Sequence, residues 1–358
     1  MNQSWTTALA TGLVTAAVLA ELNLARILLH DWREDRKQPQ FKRTLSKADN
    51  MKATQQRPLR ALVAAALILA PCLAFTAAHG QSAPALPDQA ASANPAEPTD
   101  KPETTNPFSL QLNLDFTSAY FFRGFLQENQ GLIVQPAAKL TVNAYNNSDV
   151  KVDAFVSTWN SFHSEKTGSP RSEWMESWYE CDLLGGATVT LGKWSFMGQY
   201  IFYTSPNDAY DMIQELDISA AFDDSEALGK WALHPYALVG IETSSFATDG
   251  VNPGSYLELG IAPGFSFDVE KTPVAISFPV TVGLSLHNYY QNSAGDDETF
   301  GFASVGVKAS FPLPISDKNG KWSLNASASA QLLGNHAAAF NNGANGTFLG
   351  TIGVQLDF

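Results

Sequence analysis

The feature that most constrains this chain is a strict alternation of apolar and polar residues that begins at Phe108. In the segment 108–117, apolar residues occupy the even positions and polar residues the odd positions. Alternation with a period of two is typical of a β-strand with one apolar face. The last segment repeats this pattern up to Phe358, and the chain is therefore predicted to be all-β with twelve strands. The other ten segments are predicted at 132–145, 150–159, 174–191, 194–204, 212–222, 231–243, 255–267, 274–287, 298–311 and 322–333.

The connections between these segments carry independent information. Those after odd-numbered segments are mostly long, and those after even-numbered segments are shorter. An even number of strands with long loops on one side and short turns on the other is typical of outer-membrane barrels. Aromatic residues are predicted to form two girdles, one at the short turns with Trp194, Trp231 and Trp322, and one at the opposite strand ends. The members of the second girdle are Trp159, Trp174, Trp178, Tyr203, Tyr256, Tyr289 and Tyr290.

The prediction is a twelve-stranded antiparallel transmembrane up-and-down β-barrel. A soluble all-β sandwich is the structural alternative, because it also has alternating strands and turn signals. Strands of about ten residues, the length that crosses a bilayer obliquely, and an apolar face on nearly every strand favour the barrel. Proline removes a donor from a strand ladder, so bulges are expected at four prolines. These are Pro136, Pro235, Pro263 and Pro279.

The first hundred residues show a different organisation. Residues 51–80 have a basic start, an apolar stretch and a small-residue exit, which together are typical of a secretory signal peptide. Residues 1–50 are therefore interpreted as an upstream mis-start, with a genuine N-terminal extension as the alternative. Residues 81–107 contain six prolines and no aromatic residue, and such a composition predicts a disordered linker. The barrel is assigned to residues 108–358.

The charge balance indicates what the barrel interior contains. Residues 81–358 hold 12 of the 22 Lys and Arg residues and 30 of the 35 Asp and Glu residues, a net charge of −18. This acidic balance argues against nucleic acid as a partner. The polar faces of the strands are predicted to point into the lumen, where carboxylates outnumber Lys139, Lys151 and Lys308. The candidate lumen and selectivity residues are Asp115, Asp153, Glu180, Asp182, Glu215, Asp217, Glu242 and Glu258.

A short motif follows the first predicted strand. It consists of Ser118, Tyr120, Phe122, Arg123, Gly124 and Gln127. This pattern resembles the opening of the Gcw_chp family, also called the TorF-like family, of conserved hypothetical bacterial proteins. The resemblance continues through Glu180, Asp182, the run Tyr203-Thr204-Ser205-Pro206 and Glu215, and it implies a small outer-membrane barrel with a porin role and no established substrate. The chain departs from the family pattern at Phe121 and Leu126.

Arg123 within this motif has two interpretations. Its aliphatic stem can lie along apolar surface at the membrane rim while its guanidinium reaches water or an anionic headgroup. Alternatively, Arg123 reaches into the barrel mouth and pairs with a lumen carboxylate such as Asp115. Gly124 allows the chain to turn.

The predicted function is an outer-membrane porin, a passive diffusion channel for small cationic or neutral solutes. Two alternatives stay open: a plugged structural barrel without transport, and an outer-membrane lipid hydrolase that uses Ser161 and His163. No catalytic residue, metal ligand set or cofactor is assigned. The expected partners are outer-membrane lipid and lipopolysaccharide, small solutes, and the barrel-assembly machinery through the terminal Phe358.

Overall fold

The computed structural model describes residues 107–165, 168, 175–247, 251–269, 272–315 and 320–358. The predictions of an upstream mis-start, a signal peptide and a disordered linker concern residues 1–106, which lie outside this part of the chain, and so does Trp174.

The described residues form sixteen strands and a few short helical turns. Strands β2 (Tyr120–Phe122) and β3 (Phe125–Glu128) form a separate hairpin. Helix α1 spans Ser225–Leu228 and continues into a 3-10 turn at Gly229–Trp231, and α2 spans Asn335–Phe340. Neither described helix has the length and apolar character needed to cross a membrane. The remaining strands are β1 (Phe108–Thr117), β4 (Ile133–Asn146), β5 (Val150–His163), β6 (Trp178–Leu191), β7 (Trp194–Thr204), β8 (Ile213–Phe222), β9 (Tyr236–Ser244), β10 (Ser255–Ile261), β11 (Gly264–Val269), β12 (Thr272–Ser277), β13 (Val280–His287), β14 (Phe300–Pro312), β15 (Lys321–Leu333) and β16 (Gly346–Asp357).

These strands close into a single antiparallel barrel. When β10 with β11 and β12 with β13 are each counted as one strand, consecutive strands of the wall pair, and β1 closes the ring by pairing with both β4 and β16. Strands β10 and β11 together make one of the predicted strands, and β12 and β13 together make another, so the barrel has twelve strands within the described residues. The predicted twelve-stranded antiparallel barrel is confirmed.

The prolines interrupt the ladder without shifting its register. Pro263 and Pro279 separate β10 from β11 and β12 from β13, yet the pairings Ile261↔Val280 and Gly264↔Ser277 keep one register across the gap. The prediction of bulges at the prolines is therefore wrong, because each proline lacks only its N–H while its carbonyl still accepts. Pro263 accepts from Phe278 N–H at 2.8 Å, for example. Pro136 lies within β4 with an unchanged register, and Pro235 precedes β9.

The two faces of the barrel wall differ as the alternation predicts. Outward side chains such as Val156, Ile218 and Val305 are more than half exposed, at 56%, 53% and 56%. Inward neighbours such as Gln199 and Asp217 are buried. The apolar face of the strands therefore covers the outside of the barrel, and the polar face lines its interior.

The barrel has two distinct rims. The short-turn rim holds the beginning of β1, the end of β16 and the described hairpin turns. The long-loop rim holds the described parts of the connections at 118–132, 164–177, 205–212, 245–254, 288–299 and 334–345. The β8–β9 connection is longer than predicted, because α1 and the 3-10 turn occupy it and β9 begins at Tyr236, not at 231. Trp194, Trp231 and Trp322 lie at the short-turn rim as predicted.

The predicted second aromatic girdle is largely wrong. Most of its described members point into the barrel, and Tyr256, Tyr289 and Tyr290 have no solvent exposure at all. They point inward because they pack against the β2–β3 hairpin, which offers them an apolar and charged surface inside the barrel. Trp178 is the exception, since its ring stacks on Phe162 with centroids 5.6 Å apart.

Candidate functional site

The β2–β3 hairpin folds inward and fills the barrel at the long-loop rim. Its side chains contact the wall on all sides, as four groups of buried residues show. Phe121 packs against Leu349, Phe122 against Tyr203, and Phe125 belongs to the cluster of Tyr256, Tyr290 and Phe302. The hairpin is therefore a plug, and this name is used for residues 120–128 below.

Five of the six motif residues belong to this plug, and Ser118 lies just before it. Arg123 and Gly124 form its tip with φ angles of 47° and 90°, a left-handed pair that suits a two-residue hairpin turn. A Cβ at Gly124 would come within 3.2 Å of Phe302, so a larger residue would meet the wall. Ser118 Oγ accepts a hydrogen bond from Gly350 N–H at 2.9 Å, and Tyr179 OH donates to Gln127 Oε1.

Arg123 is buried at the centre of a charged and aromatic site. Its Nη1 and Nη2 donate to the two oxygens of Glu215, each at 2.7 Å, and Nη1 also donates to Tyr289 OH at 2.8 Å. Asp217 Oδ1 lies 3.8 Å from Nη2. The guanidinium carbon lies 4.1 Å from the ring centroid of Tyr256. We call this group the Arg123 site.

These contacts decide between the two interpretations of Arg123, at the membrane rim or in the lumen. The residue reaches into the lumen, as the second one expects, but its carboxylate partner is Glu215 and not Asp115. Burial acts to lower the pKa of Arg123, but the Glu215 carboxylate outweighs it and raises the pKa well above its ordinary value. Arg123 is therefore a fixed positive charge inside the barrel.

Most of the other predicted lumen acids are buried inside the barrel. Glu180 accepts from Tyr120 OH at 2.7 Å, and Glu258 accepts from Tyr256 OH at 2.6 Å. Glu242 accepts from the backbone N–H of Ala247 and Gly254 at 2.5 and 2.6 Å. Buried carboxylates need such donors because losing water is costly for a charge. Seven of the eight predicted lumen acids are buried, namely Asp115, Glu180, Asp182, Glu215, Asp217, Glu242 and Glu258.

Asp153 is separate from this group. It lies on β5 near the short-turn rim, where Lys151 Nζ approaches Asp153 Oδ2 at 2.6 Å and Asn143 Nδ2 donates to Asp153 Oδ1 at 2.8 Å. The Lys151 side chain is 49% exposed. Asp153 therefore belongs to a solvated pair and not to the acidic group around the plug.

Ser161 and His163, the two residues of the lipid-hydrolase alternative, are in contact. Ser161 Oγ lies 2.9 Å from His163 Nε2, and both residues are buried. Gln135 Nε2 also donates to Ser161 Oγ at 3.3 Å. Within the described residues, however, His163 Nδ1 has no hydrogen-bond partner, whereas a catalytic histidine needs a third group that orients it. The site supplies a serine–histidine contact without that third group.

One group of metal-ligand types lies at the short-turn rim and was not predicted from the sequence. The ligand atoms of Asp223, Asp224 and His234 lie within 4.8 Å of one another. Asp224 already accepts from the backbone N–H of Leu233 and His234, at 3.0 to 3.1 Å. Hydrogen bonds from Ser225 hold the pKa of Asp223 below its ordinary value. These carboxylates organise the β8–β9 connection.

The plug also escaped the sequence prediction, although the sequence holds a signal for it. The first long connection carries four aromatic residues, Tyr120, Phe121, Phe122 and Phe125, and Tyr289-Tyr290 lie in another loop. Loops that run over a protein surface are seldom so apolar. Aromatic loop residues at one rim are therefore a signal for burial, either against lipid or by folding of a loop into the barrel.

Comparisons with known proteins return barrels of low similarity. No protein-family model matches the chain, and no curated protein matches it. An outer-membrane channel from Pseudomonas putida F1 is 11% identical, with 74% of this chain and 100% of that chain covered and a TM-score of 0.40. The β domain of the Bordetella autotransporter BrkA is 10% identical, with 70% and 98% covered and a TM-score of 0.37. The NanC porin is 8% identical, with 69% and 98% covered and a TM-score of 0.34.

Proposed function

We propose that the chain is an outer-membrane channel for small cationic or neutral solutes, and that the plug closes it in the conformation described here. An outer-membrane location is supported by the outside of the barrel, where apolar side chains cover a closed wall. Such a wall satisfies its backbone hydrogen bonds internally, which is what lipid requires of a spanning structure. Outer-membrane lipid and lipopolysaccharide are the partners proposed for this surface, and the Gcw_chp or TorF-like assignment belongs to the same proposal.

One observation carries the channel proposal: the wall of β14, β15 and β16 changes character along its length. Toward the long-loop rim, Phe302, Leu333 and Leu349 are buried, and Phe302 and Leu349 pack with the plug. Toward the short-turn rim, the side chains are small, polar and partly exposed. These include Ser310, Asn325, Ser327 and Gln355. A water-accessible vestibule that ends at a plug supports a closed channel, whereas a purely structural barrel has no need of a solvated half.

The plugged structural barrel is the second candidate, and the anchoring of the plug favours it. Asn341 Nδ2 donates to Gly124 O at 2.7 Å and Asn341 Oδ1 accepts from Leu126 N–H at 2.8 Å. Tyr290 OH donates to Arg123 O at 3.0 Å. These contacts hold the hairpin by its backbone as well as by its side chains. Measurement of conductance separates the two candidates.

Removing the plug is expected to open the barrel. Replacement of residues 120–128 by a Gly-Ser linker should raise the conductance in planar bilayers at least tenfold above that of the unaltered protein, because the wall remains closed and only the plug is lost. As a control, the exposed loop tip 292–296 is replaced in the same way and should leave conductance unchanged.

Folding of each variant is checked by its heat-modifiable migration on a detergent gel. A folded plug-replaced barrel that stays closed would favour the structural barrel. Equal conductance of the unaltered protein and the plug-replaced variant would show that the plug does not close the path.

The open barrel is expected to prefer cations. Loss of the plug lets water reach the lumen acids, which outnumber the inward cations, and a lumen of negative potential concentrates cations. Reversal potentials of the plug-replaced variant across a salt gradient should have the cation-selective sign and should fall toward zero when Glu180→Gln and Asp182→Asn are combined. Asp296→Asn, at an exposed loop, is the matched control and should change little. A reversal potential of the anion-selective sign refutes the charge argument.

A further inference from the structure

We propose that the barrel wall at the Arg123 site is a binding site for small planar cations of the guanidinium type, and that Arg123 is its tethered occupant in the closed conformation. This inference names a solute class for the proposed channel. It rests on that function only for its role in transport, because binding at the wall can be measured whether or not the barrel conducts.

The groups that hold the guanidinium belong to the barrel and its loops, not to the plug. Glu215 and Asp217 lie on β8, Tyr203 on β7 and Tyr256 on β10, and Tyr289 follows β13. Four different elements therefore converge on one position. The site is built by the wall, and the plug enters it.

Hydrogen bonds within the wall fix the two carboxylates independently of Arg123. Tyr203 OH donates to Glu215 Oε1 at 3.1 Å, and Gln199 Nε2 donates to Asp217 Oδ2 at 3.0 Å. Glu215 and Asp217 are fully buried. Side chains that are already held in the bound arrangement lose little freedom when a ligand arrives. The wall is thus preorganised for a cation.

The geometry selects a planar cation over a compact one. Glu215 accepts two parallel hydrogen bonds of 2.7 Å from Arg123, a fork that matches a guanidinium and not an ammonium group. The rings of Tyr256 and Tyr289 lie 4.1 and 5.3 Å from the guanidinium carbon, within the range of cation–π attraction. Carboxylate and aromatic faces together therefore specify the ligand class.

Arg123 does not use this site completely. Among the described residues, its Nε has no hydrogen-bond partner although it is buried, and Asp217 Oδ1 likewise accepts none. One donor and one acceptor of the same site thus lack hydrogen bonds. We attribute this to the covalent attachment of Arg123 to the hairpin, which limits how closely the guanidinium fits the site. A free cation can shift toward Asp217 while it keeps the paired bonds to Glu215.

The acceptors of the two acids also exceed what their occupant uses. Arg123 donates to both oxygens of Glu215, whereas Asp217 Oδ1 accepts no hydrogen bond from a described residue. A solute with a guanidinium group can therefore compete with Arg123 for the wall, and its binding favours withdrawal of the plug tip. The site is where the proposed channel would recognise such a solute.

The test removes the tethered occupant and supplies a free one. In detergent micelles, the Arg123→Ala variant should bind ethylguanidinium measurably by isothermal titration calorimetry. Adding Glu215→Gln to this variant should weaken binding at least tenfold, because the paired acceptor is lost. Ethylammonium at the same ionic strength should bind at least tenfold more weakly than ethylguanidinium.

A second variant keeps the inference falsifiable if the shortened tip repacks. The barrel whose residues 120–128 are replaced by a Gly-Ser linker retains the wall, and it should also bind ethylguanidinium in a manner that depends on Glu215. Failure of both folded variants to bind, or binding that ignores Glu215→Gln, overturns the site. Binding without conductance refutes only the channel, and conductance without binding refutes only this site.

Discussion

Replacing Arg123 by methionine is expected to lower the free energy of unfolding by about 3–5 kcal/mol, the cost typical of removing one partner of a buried ion pair. Methionine keeps much of the aliphatic volume but leaves Glu215 buried beside Asp217 without a cation. Urea unfolding in detergent micelles, followed by tryptophan fluorescence, measures the change. Among the described ion pairs, only those of Arg123, with Glu215 at 2.7 Å and with Asp217 at 3.8 Å, have both side chains fully buried.

The double variant Arg123→Met with Glu215→Gln is the critical comparison. A neutral amide no longer carries an uncompensated charge, so most of the lost stability should return. Lys193→Met is the matched control, because Lys193 pairs with Glu226 at an exposed position, and such pairs contribute no more than about 1 kcal/mol. A loss below about 1 kcal/mol for Arg123→Met would mean that the plug is held by its other contacts.

Gly301→Ala, a substitution in the barrel wall, is expected to displace the plug. Gly301 is the extra residue of a bulge in β14, since Gly283 pairs with Phe302 and Leu284 with Phe300. A Cβ at this position would overlap the ring of Tyr290. That ring is fully buried and stacks on Phe125 with centroids 5.5 Å apart, so it has little room to move.

The expected cost is about 1–3 kcal/mol, as for other overpacked interiors, together with a higher conductance than the unaltered barrel. Gly198→Ala is the control, because a Cβ at Gly198 meets nothing within 4 Å. Both variants are compared by urea unfolding and by bilayer recording. Equal stability of the two alanine variants would show that Tyr290 adjusts without disturbing the plug.

The sequence predicts the barrel wall because the wall depends on a local pattern. The period-two alternation indicates which face of each strand is in an apolar environment. The alternation of long and short loops indicates which strand ends lie at the same rim. Strand β7 begins and ends where the pattern places it, at Trp194 and Thr204. The eight acids predicted to face the lumen follow from the same alternation, since one face of a strand determines the other.

The pairing of side chains inside the barrel was decided by tertiary structure alone. The pairing of Arg123 with Glu215 joins residues 92 positions apart, and no local pattern states which carboxylate a loop arginine will meet. The aromatic residues at the long-loop rim are compatible with a lipid girdle or with an inward plug, because burial satisfies an aromatic ring in either place. Only closure of the barrel brings β7, β8, β10 and the loop after β13 to one point. This convergence creates the buried carboxylate and the aromatic faces that favour the inward position of the hairpin.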